Sequence, residues 1–374
     1  MNIKMSNFRV ELKKVVDDSY DVQIGQNLIP VLMDDLKNGL AGKIKKFAVI
    51  TDSTVEPLYG TPVVSALTEA GYAADLFVFP AGEKSKVRAT KEMLEDAMLA
   101  KEYRRDCCVI AVGGGVVTDL AGFLAGTFGR GVPFINYATT LLSAADASIG
   151  GKTAVDTELA TNLIGLIYQP LKVYVDIDTW KTLPENQMVN GLAETVKHAC
   201  LADIELFWYL EDHSQEVLAC DAAACTYISE HNCSVKYKVV MKDEKEKNLR
   251  EILNLGHTVG RAIETVSEYK LLHGEAVAIG MAAQVRLGCE CGYLTKEECD
   301  RVIALMERIG LPVTIPAYID KESLVRKLYT DKKVRDGKLR FVFQKGIGDV
   351  MTFGGEVYAR EVAEDEIRAI IDKM

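Results

Sequence analysis

Between about residues 47 and 177, short apolar runs typical of buried strands alternate with segments whose apolar residues recur at helical spacing. Such alternation predicts parallel strands joined by crossover helices. The strand-like runs are FAVIT, DLFVFP, CCVIAV, FINYAT and VYVDI, and the helical segments include PVVSALTEAG, residues 88–102 and a helix that begins at 116.

After Leu183 and Pro184 the pattern changes to long amphipathic segments, which predict a mostly helical second half. We therefore predict an α/β dinucleotide-binding domain at residues 1–180, followed by a mostly α-helical metal- and substrate-binding domain at 181–374. No low-complexity linker separates them, so we expect an extensive interface, and ligand sites favour such clefts. The amphipathic segments lie at 188–210, 217–241, 249–267, 274–292 and 295–309.

The composition limits the partners. A net charge of −10 argues against nucleic acid, which needs a basic surface. No uninterrupted apolar run reaches the roughly 20 residues of a membrane span, so no membrane partner is expected. The nine cysteines are scattered without a CxxC pair, which indicates reduced thiols and a cytoplasmic location.

One helical segment, at 249–264, carries a polar stripe. Arg250, Asn254, His257 and Arg261 follow the spacing i, i+4, i+7 and i+11, which would place them on one helix face. A cationic stripe with apolar flanks can line a water-filled pocket that binds an anion. A helix face exposed to solvent would produce a similar pattern.

A glycine-rich turn lies between a buried strand and a helix in AVGGGVVTDLAG, at 111–122. Backbone N–H groups and a helix N-terminus in this arrangement can meet a phosphate, which favours a dinucleotide. The alternative is a tight strand-to-helix turn, because Thr118 departs from the GxGxxG pattern. Asp52 ends the first predicted strand, where a carboxylate can bind a ribose diol and favour NAD over NADP.

Three residues of the helical half have the chemistry of a zinc site. Two imidazoles, of His257 and His273, and the carboxylate of Glu194 would leave one coordination position open. Each histidine could instead be a buried core residue. The remaining histidines have polar neighbours, and we expect ordinary roles for them; they are His198, His213 and His231.

The segment at 139–156 predicts a loop that holds an anion. It contains Asp146, two glycines and Lys152, and Asn162 follows it. Most such cations are solvated surface groups, but Arg250 and Arg261 share the predicted face of His257. Further candidate cations are Lys197, Lys236 and Lys333.

Together these segments resemble the 3-dehydroquinate synthases, members of the sugar-phosphate cyclase superfamily. The resemblance covers nearly the whole chain in order. It is carried by GEKSK at 82–86, GGGVVTD at 113–119, TTLL at 139–142, DASIGGKTAVD at 146–156, NLIGLIYQP at 162–170, NGLAETVKHA at 190–199, DEKEKNLREILNLGHTVG at 243–260 and LHGEAVAIGM at 272–281.

The resemblance implies a homodimer that uses NAD and a Zn²⁺ or Co²⁺ ion held by Glu194, His257 and His273. It implies that NAD contacts Asp52, Glu83, Lys86, Gly114, Gly115, Asp119, Thr139, Thr140, Thr182 and Asn190. The implied catalytic residues are Asp146, Lys152, Lys197, Lys236, Glu246, Arg250 and Asn254, with Glu246 in proton transfer. The implied substrate-binding residues are Asn162, Lys333 and Arg130, and Arg130 would reach the neighbouring subunit's site. We add Arg261, which departs from the family pattern, as a predicted substrate contact.

The implied reaction converts 3-deoxy-D-arabino-heptulosonate 7-phosphate (DAHP) to 3-dehydroquinate and phosphate. A carbinol is oxidised, phosphate is eliminated, the ketone is reduced again by the same cofactor, and an aldol step closes the ring. The cofactor carries the redox step and the protein mainly positions the substrate.

Two positions depart from the family pattern. Thr161 stands where the family often has lysine, and Arg261 where it usually has a second histidine, so the identity of a protein base stays open. Three alternatives remain: a cyclase for another sugar phosphate, a metal-dependent polyol dehydrogenase of the glycerol dehydrogenase type, and a non-catalytic homologue. The first is disfavoured by the expected carboxylate-binding pair, Lys236 and Arg250.

Overall fold

The computed structural model describes residues 11–12, 16–329 and 338–374, so the predicted substrate contact Lys333 lies outside the described residues. The strands are β1 Asp21–Gly25, β2 Lys46–Asp52, β3 Ala73–Phe79, β4 Cys107–Gly113, β5 Phe134–Ala138, β6 Lys152–Val155, β7 Ile164–Ile167, β8 Lys172–Asp176, β9 Leu339–Val342 and β10 Ala359–Val362. The helices are α1 Ile29–Lys37, α2 Thr61–Glu69, α3 Arg88–Ala100, α4 Gly115–Thr127, α5 Glu185–Ala202, α6 Ile204–Leu218, α7 Ala222–Lys242, α8 His257–Val266, α9 His273–Glu290, α10 Lys296–Ile309, α11 Lys321–Leu328 and α12 Glu364–Lys373.

A six-stranded parallel sheet organises the first half, in the order β1-β8-β5-β4-β2-β3. Every residue of β4 is buried, because helices cover both faces of the sheet. All five predicted strands belong to this sheet, and the α/β prediction is confirmed. The sequence pattern missed β1, so Asp52 ends the second strand and not the first.

The strand order reverses between β2 and β4. From β2 the chain passes to its outer neighbour β3 and then returns to β4 on the other side of β2. A crevice forms at the carboxyl ends of the strands at such a switch point, and ligands of open α/β sheets bind there. Asp52 ends β2 and Gly113 ends β4, so both lie at this crevice.

The second half is mostly helical, as predicted, and its described residues include a small antiparallel pair formed by β9 and β10. The expected extensive interface is present, because one core cluster combines Leu141 and Val175 of the first half with Val196 and Met281 of the second. The boundary near residue 180 stays a prediction. Across the described ranges, no helix combines the length and the apolar character that a membrane crossing requires.

The predicted continuous helix at 249–264 is wrong. A 3₁₀ turn at Leu249–Asn254 is followed by Gly256 in the left-handed region at φ +78°, and only then does α8 begin. Arg250 and Asn254 therefore do not share a helix face with His257 and Arg261.

Glycines allow α8 and α9 to approach closely in antiparallel orientation. A Cβ atom on Gly280 would lie 1.9 Å from the Gly256 carbonyl oxygen, and one on Gly260 would lie 3.0 Å from the Ala276 oxygen. Neither position of this contact tolerates a larger side chain without separation of the two helices.

Two other predicted segments differ in detail. The segment at 188–210 is broken at Asp203, whose carboxylate accepts a hydrogen bond from the Leu206 N–H and caps α6. The predicted loop at 139–156 contains a π-type turn at Ser143–Ala147 and then β6, which pairs with β7. Lys152 is therefore the first residue of a strand.

Candidate active site

Three side chains from three helices converge in the helical half. Glu194 lies on α5, while His257 and His273 are the first residues of α8 and α9. Their ligand atoms lie within 4.8 Å of one another. Glu194 Oε1 lies 3.6 Å from His257 Nε2 and 3.5 Å from His273 Nε2, and this buried oxygen accepts no hydrogen bond from any described residue.

The other ring nitrogen of each histidine is held by the protein. His257 Nδ1 lies 3.1 Å from the Leu255 carbonyl oxygen, and His273 Nδ1 lies 2.9 Å from Glu264 Oε1. A hydrogen bond donated by Nδ1 leaves the Nε2 lone pair free for a metal ion. This arrangement, with the unpartnered Glu194 oxygen, fits a three-ligand zinc site.

The local charges favour a bound cation. Burial alone would raise the pKa of Glu194, but the neighbouring Lys197 ammonium outweighs it and holds that pKa well below its usual range. Burial, reinforced by Lys197, also lowers the pKa of His257. Burial opposes protonation of His273, but Glu264 and then Glu194 raise the pKa of His273 to about 10. A metal ion bound to the Nε2 atoms of His257 and His273 would take the place of the proton on His273 Nε2.

A second ion pair joins the two halves of the chain. The carboxylate of Asp146, in the π-type turn, accepts a hydrogen bond from Lys236 on α7. Burial lowers the pKa of Lys236 to about 8 despite Asp146. Burial would raise the pKa of Asp146, but Lys236 and then Lys197 hold it well below its usual range.

His198, for which the sequence indicated only an ordinary role, also belongs to the site and is completely buried on α5. Its imidazole lies in a group with Asp146 and Glu194 whose ligand atoms are within 4.8 Å of one another, and Asn232 lies 2.9 Å from its Nδ1. Burial and then Lys197 lower the pKa of His198 to about 4, so the ring is neutral. Its position four residues after Glu194, on the same helix face, was the available sequence signal.

Another group of predicted catalytic residues lies around Lys152. Its ammonium donates to Glu246, whose other carboxylate oxygen accepts a hydrogen bond from Asn254 Nδ2 at 2.9 Å. Arg250 is buried nearby, with Nη1 donating to the Glu244 carbonyl and Nη2 donating to the Gly150 carbonyl at 3.1 Å. Only Nε of this guanidinium lacks a protein partner among the described residues.

The predicted cofactor residues gather at the carboxyl ends of the strands. Gly114 precedes the first turn of α4, beside Thr140, and Thr139 follows β5 with a buried hydroxyl that has no partner in the described ranges. Lys86 lies 2.7 Å from Asp119 of α4. Gly115 begins α4, and Glu83 lies 3.6 Å from Lys86.

Three further predicted cofactor contacts also have protein partners. Asp52 Oδ1 accepts hydrogen bonds from Thr54 and Val55 N–H groups. The Thr182 hydroxyl lies 2.8 Å from the Tyr59 hydroxyl, and Asn190 Oδ1 accepts the Gly274 N–H at 2.5 Å. Asn190 therefore ties α5 to the first turn of α9, beside His273.

Thr161 and Arg261, the two departures, line one cavity of about 330 Å³, which Tyr269 and Lys327 also border. Arg261 lies one turn after His257, and its buried Nη1 atom has no hydrogen-bond partner among the described side chains and backbone. Asn162 is exposed, and its backbone N–H donates to Asp156 Oδ1. Arg130 is exposed at the turn after α4, at φ +71°.

Family models match most of the chain in two consecutive parts. Residues 76–190 match the N-terminal part of 3-dehydroquinate synthase, and residues 191–334 match its C-terminal part. The chain belongs to the 3-dehydroquinate synthase family. A 3-dehydroquinate synthase from Pelobacter propionicus is 43% identical over 335 residues, which cover 89% of this chain and 92% of that relative.

Solved structures of sugar-phosphate cyclases share the fold of this family member. 2-epi-5-epi-valiolone synthase from Streptomyces hygroscopicus subsp. jinggangensis, with NAD⁺ and Zn²⁺ bound, is 30% identical with a TM-score of 0.86, over 98% of this chain and 99% of that one. 2-deoxy-scyllo-inosose synthase, complexed with carbaglucose-6-phosphate, NAD⁺ and Co²⁺, is 25% identical with a TM-score of 0.85, over 94% and 96%.

We expect His257→Ala and Glu194→Ala to remove stoichiometric zinc, because a three-ligand site seldom survives on two ligands. Metal analysis of the purified variants measures this, and circular dichroism checks that the fold persists. His213→Ala is the matched control, since His213 is only partly buried and contacts only Glu216 among the described charged groups. Full zinc occupancy in either ligand variant would contradict the assignment.

Proposed function

We propose that this chain is a 3-dehydroquinate synthase that converts DAHP to 3-dehydroquinate and phosphate. The observation that carries the proposal is a set of cationic side chains near Glu194, His257 and His273. Lys197 pairs with Glu194, Arg261 lies one turn after His257, and Lys236 pairs with Asp146, whose carboxylate lies within 4.8 Å of Glu194. The phosphate and carboxylate of a sugar acid phosphate bind such cations as ion pairs, whereas a polyol offers them only neutral hydroxyl groups. The 43% identity to a 3-dehydroquinate synthase over 89% of the chain supports the same reaction.

NAD⁺ would supply a reversible hydride acceptor, and a zinc or cobalt ion held by Glu194, His257 and His273 would act as a Lewis acid. The residues of the chain bind and orient the substrate. Lys236 and Arg250 suit the substrate carboxylate. Lys152, Asn162 and Asn254 suit the phosphate, and Lys333 is a further predicted contact.

We also assign the cofactor contacts to the glycine turn at 113–115 and the Lys86–Asp119 pair, which lie at the carboxyl edge of the sheet.

Asp146, Lys197 and Glu246 are the groups that we assign to hydroxyl binding and proton movement. Asp146 and Lys197 lie next to the triad, where Lys197 pairs with Glu194 and the pKa of Asp146 is held well below its usual range, so each can orient a hydroxyl group. Glu246 bonds both Lys152 and Asn254, which places a carboxylate beside two proposed phosphate contacts. Phosphate itself can accept the proton as it leaves.

Another sugar-phosphate cyclase is the second candidate. Its support is the shared fold, at 30% and 25% identity, with the valiolone and inosose synthases. We favour DAHP, because its carboxylate is an anion that the buried cations Lys236 and Arg250 can bind in addition to Asp146 and the carbonyl groups that they already contact.

A cytoplasmic location and a homodimer complete the proposal. All nine cysteine thiols are free, which suits a reducing compartment. Arg130 is exposed in a left-handed turn, where its side chain can extend toward a second subunit.

The deciding assay measures phosphate release from DAHP with catalytic NAD⁺ and zinc. We expect one phosphate and one 3-dehydroquinate for each DAHP, without accumulation of NADH, because the hydride removed early is returned later. Absorbance of the reduced nicotinamide and identification of the product are followed together. Steady NADH build-up with a simple polyol would support the dehydrogenase instead.

Arg261 should bind the substrate phosphate and compensate for the cation missing at Thr161. A charge-assisted contact is worth about 1.5–3 kcal/mol, roughly ten- to a hundredfold in binding. Arg261→Ala should therefore raise the KM for DAHP by about that factor with little change in NAD affinity. Arg301→Ala, which removes an arginine paired with Glu211 elsewhere on the surface, should leave KM unchanged.

A double-mutant cycle tests the compensation itself. Arg261→His should bind DAHP more weakly than the variant that combines it with Thr161→Lys, because both positions border one cavity. Strictly additive effects, or an unchanged KM in Arg261→Ala, would mean that Arg261 does not bind the phosphate.

Subunit mixing tests the role of Arg130. Arg130→Ala and Lys197→Ala homodimers should each be inactive, but a mixed dimer has one site that contains neither substitution if Arg130 serves the neighbouring subunit. Equal mixing after reversible dissociation should restore about a quarter of the wild-type activity, since about half of the dimers are mixed. No recovery in dimers whose exchange has been verified by mass would place Arg130 outside the partner's site.

A further inference from the structure

A buried amide side chain, Gln284, lies on α9 three turns beyond His273. Only 2% of its surface is exposed, and both ends of its amide are hydrogen-bonded. Its oxygen accepts the Gly256 N–H, and its nitrogen donates to the Val342 carbonyl at 2.7 Å. Gln284 therefore connects strand β9 to the residue that precedes α8.

The Gly256 N–H belongs to the same peptide unit as the Leu255 carbonyl group. That carbonyl oxygen is the partner of His257 Nδ1, at 3.1 Å. Because a peptide unit is planar, a bond that holds its N–H also sets the direction of its C=O. The Gln284 oxygen thus faces one edge of the peptide, and the His257 ring faces the other.

Gly256 is also held at its own carbonyl group, by the first hydrogen bond of α8. Its carbonyl oxygen accepts the Gly260 N–H at 2.9 Å, and the absence of a side chain on Gly280 lets that oxygen approach the helix. The left-handed backbone at Gly256 is therefore held on both of its flanking peptide units. Of the two groups that hold it, only Gln284 acts on the peptide that contacts His257.

We propose that Gln284 is a positioning residue for the metal site. It fixes the Leu255–Gly256 peptide so that the carbonyl oxygen holds the His257 Nδ1 proton and directs Nε2 at Glu194 Oε1. Glu264 has the corresponding role at His273, through its direct bond to Nδ1. The inference rests on the proposed metal site and explains how the His257 ring is oriented in it.

The test compares two buried amides. Gln284→Met removes both hydrogen bonds with little change in volume. Gln344→Met is the matched control, because Gln344 is 3% exposed and, among the described residues, its side chain donates only to the Cys200 carbonyl, which belongs to no ligand peptide. Both variants should lower the unfolding midpoint of the metal-free protein.

Only Gln284→Met should raise the zinc Kd, by roughly ten- to a hundredfold, the usual effect of the loss of a group that orients a metal ligand. Competition with a chelator measures the Kd. Nitrogen NMR of the metal-free protein should also show His257 with its proton on Nδ1 in the wild type and a mixture of tautomers in Gln284→Met. If Gln284→Met does not fold, Gln284→Asn, one methylene shorter, gives the same comparison.

Equal zinc affinity in the two variants, or an unchanged His257 tautomer, would overturn the proposal and leave Gln284 as a stabilising residue alone. Failure of the metal assignment is recognised separately, since the wild type would then bind no zinc at the outset. Neither measurement depends on turnover of DAHP.

Discussion

The structure depends most on one buried carboxylate. Glu194 is fully buried, and one of its oxygens is paired with Lys197 while the other faces two imidazole nitrogens. An unpaired buried charge would cost several kcal/mol, so the surrounding helices must bring compensating groups to it. Helices α5, α8 and α9 meet at this carboxylate, and the proposed metal ion completes its pairing.

Close packing of the backbone of α9 against Gly256 and against α5 fixes the positions at which the three helices meet. Gly280 admits the Gly256 carbonyl to the surface of α9, and Gly274 admits the Asn190 carbonyl to its first turn. Because each contact involves backbone atoms, the spacing of the helices does not depend on flexible side chains. The first residues of α8 and α9 are therefore held at a fixed separation, and those residues are His257 and His273.

The remaining site exists only when both halves of the chain are assembled. Asp146 pairs with Lys236, Lys152 pairs with Glu246, and Arg250 donates to the Gly150 carbonyl. In each pair one partner belongs to the α/β half and the other to the helical half. These contacts bring the carboxyl edge of the sheet, where a dinucleotide would bind, against the proposed metal ligands.

The sequence alone determined the alternation of strands and helices, the helical second half and, through its motifs, the candidate site residues, because periodicity and glycine turns are local properties. It could not determine that Gly256 would adopt a left-handed backbone and divide the segment at 249–264, since a polar stripe at helical spacing continues through the break. It also left His198, Glu264 and Gln284 without roles. Their partners lie 34, 9 and 28 residues away in the chain, so only tertiary packing brings them together.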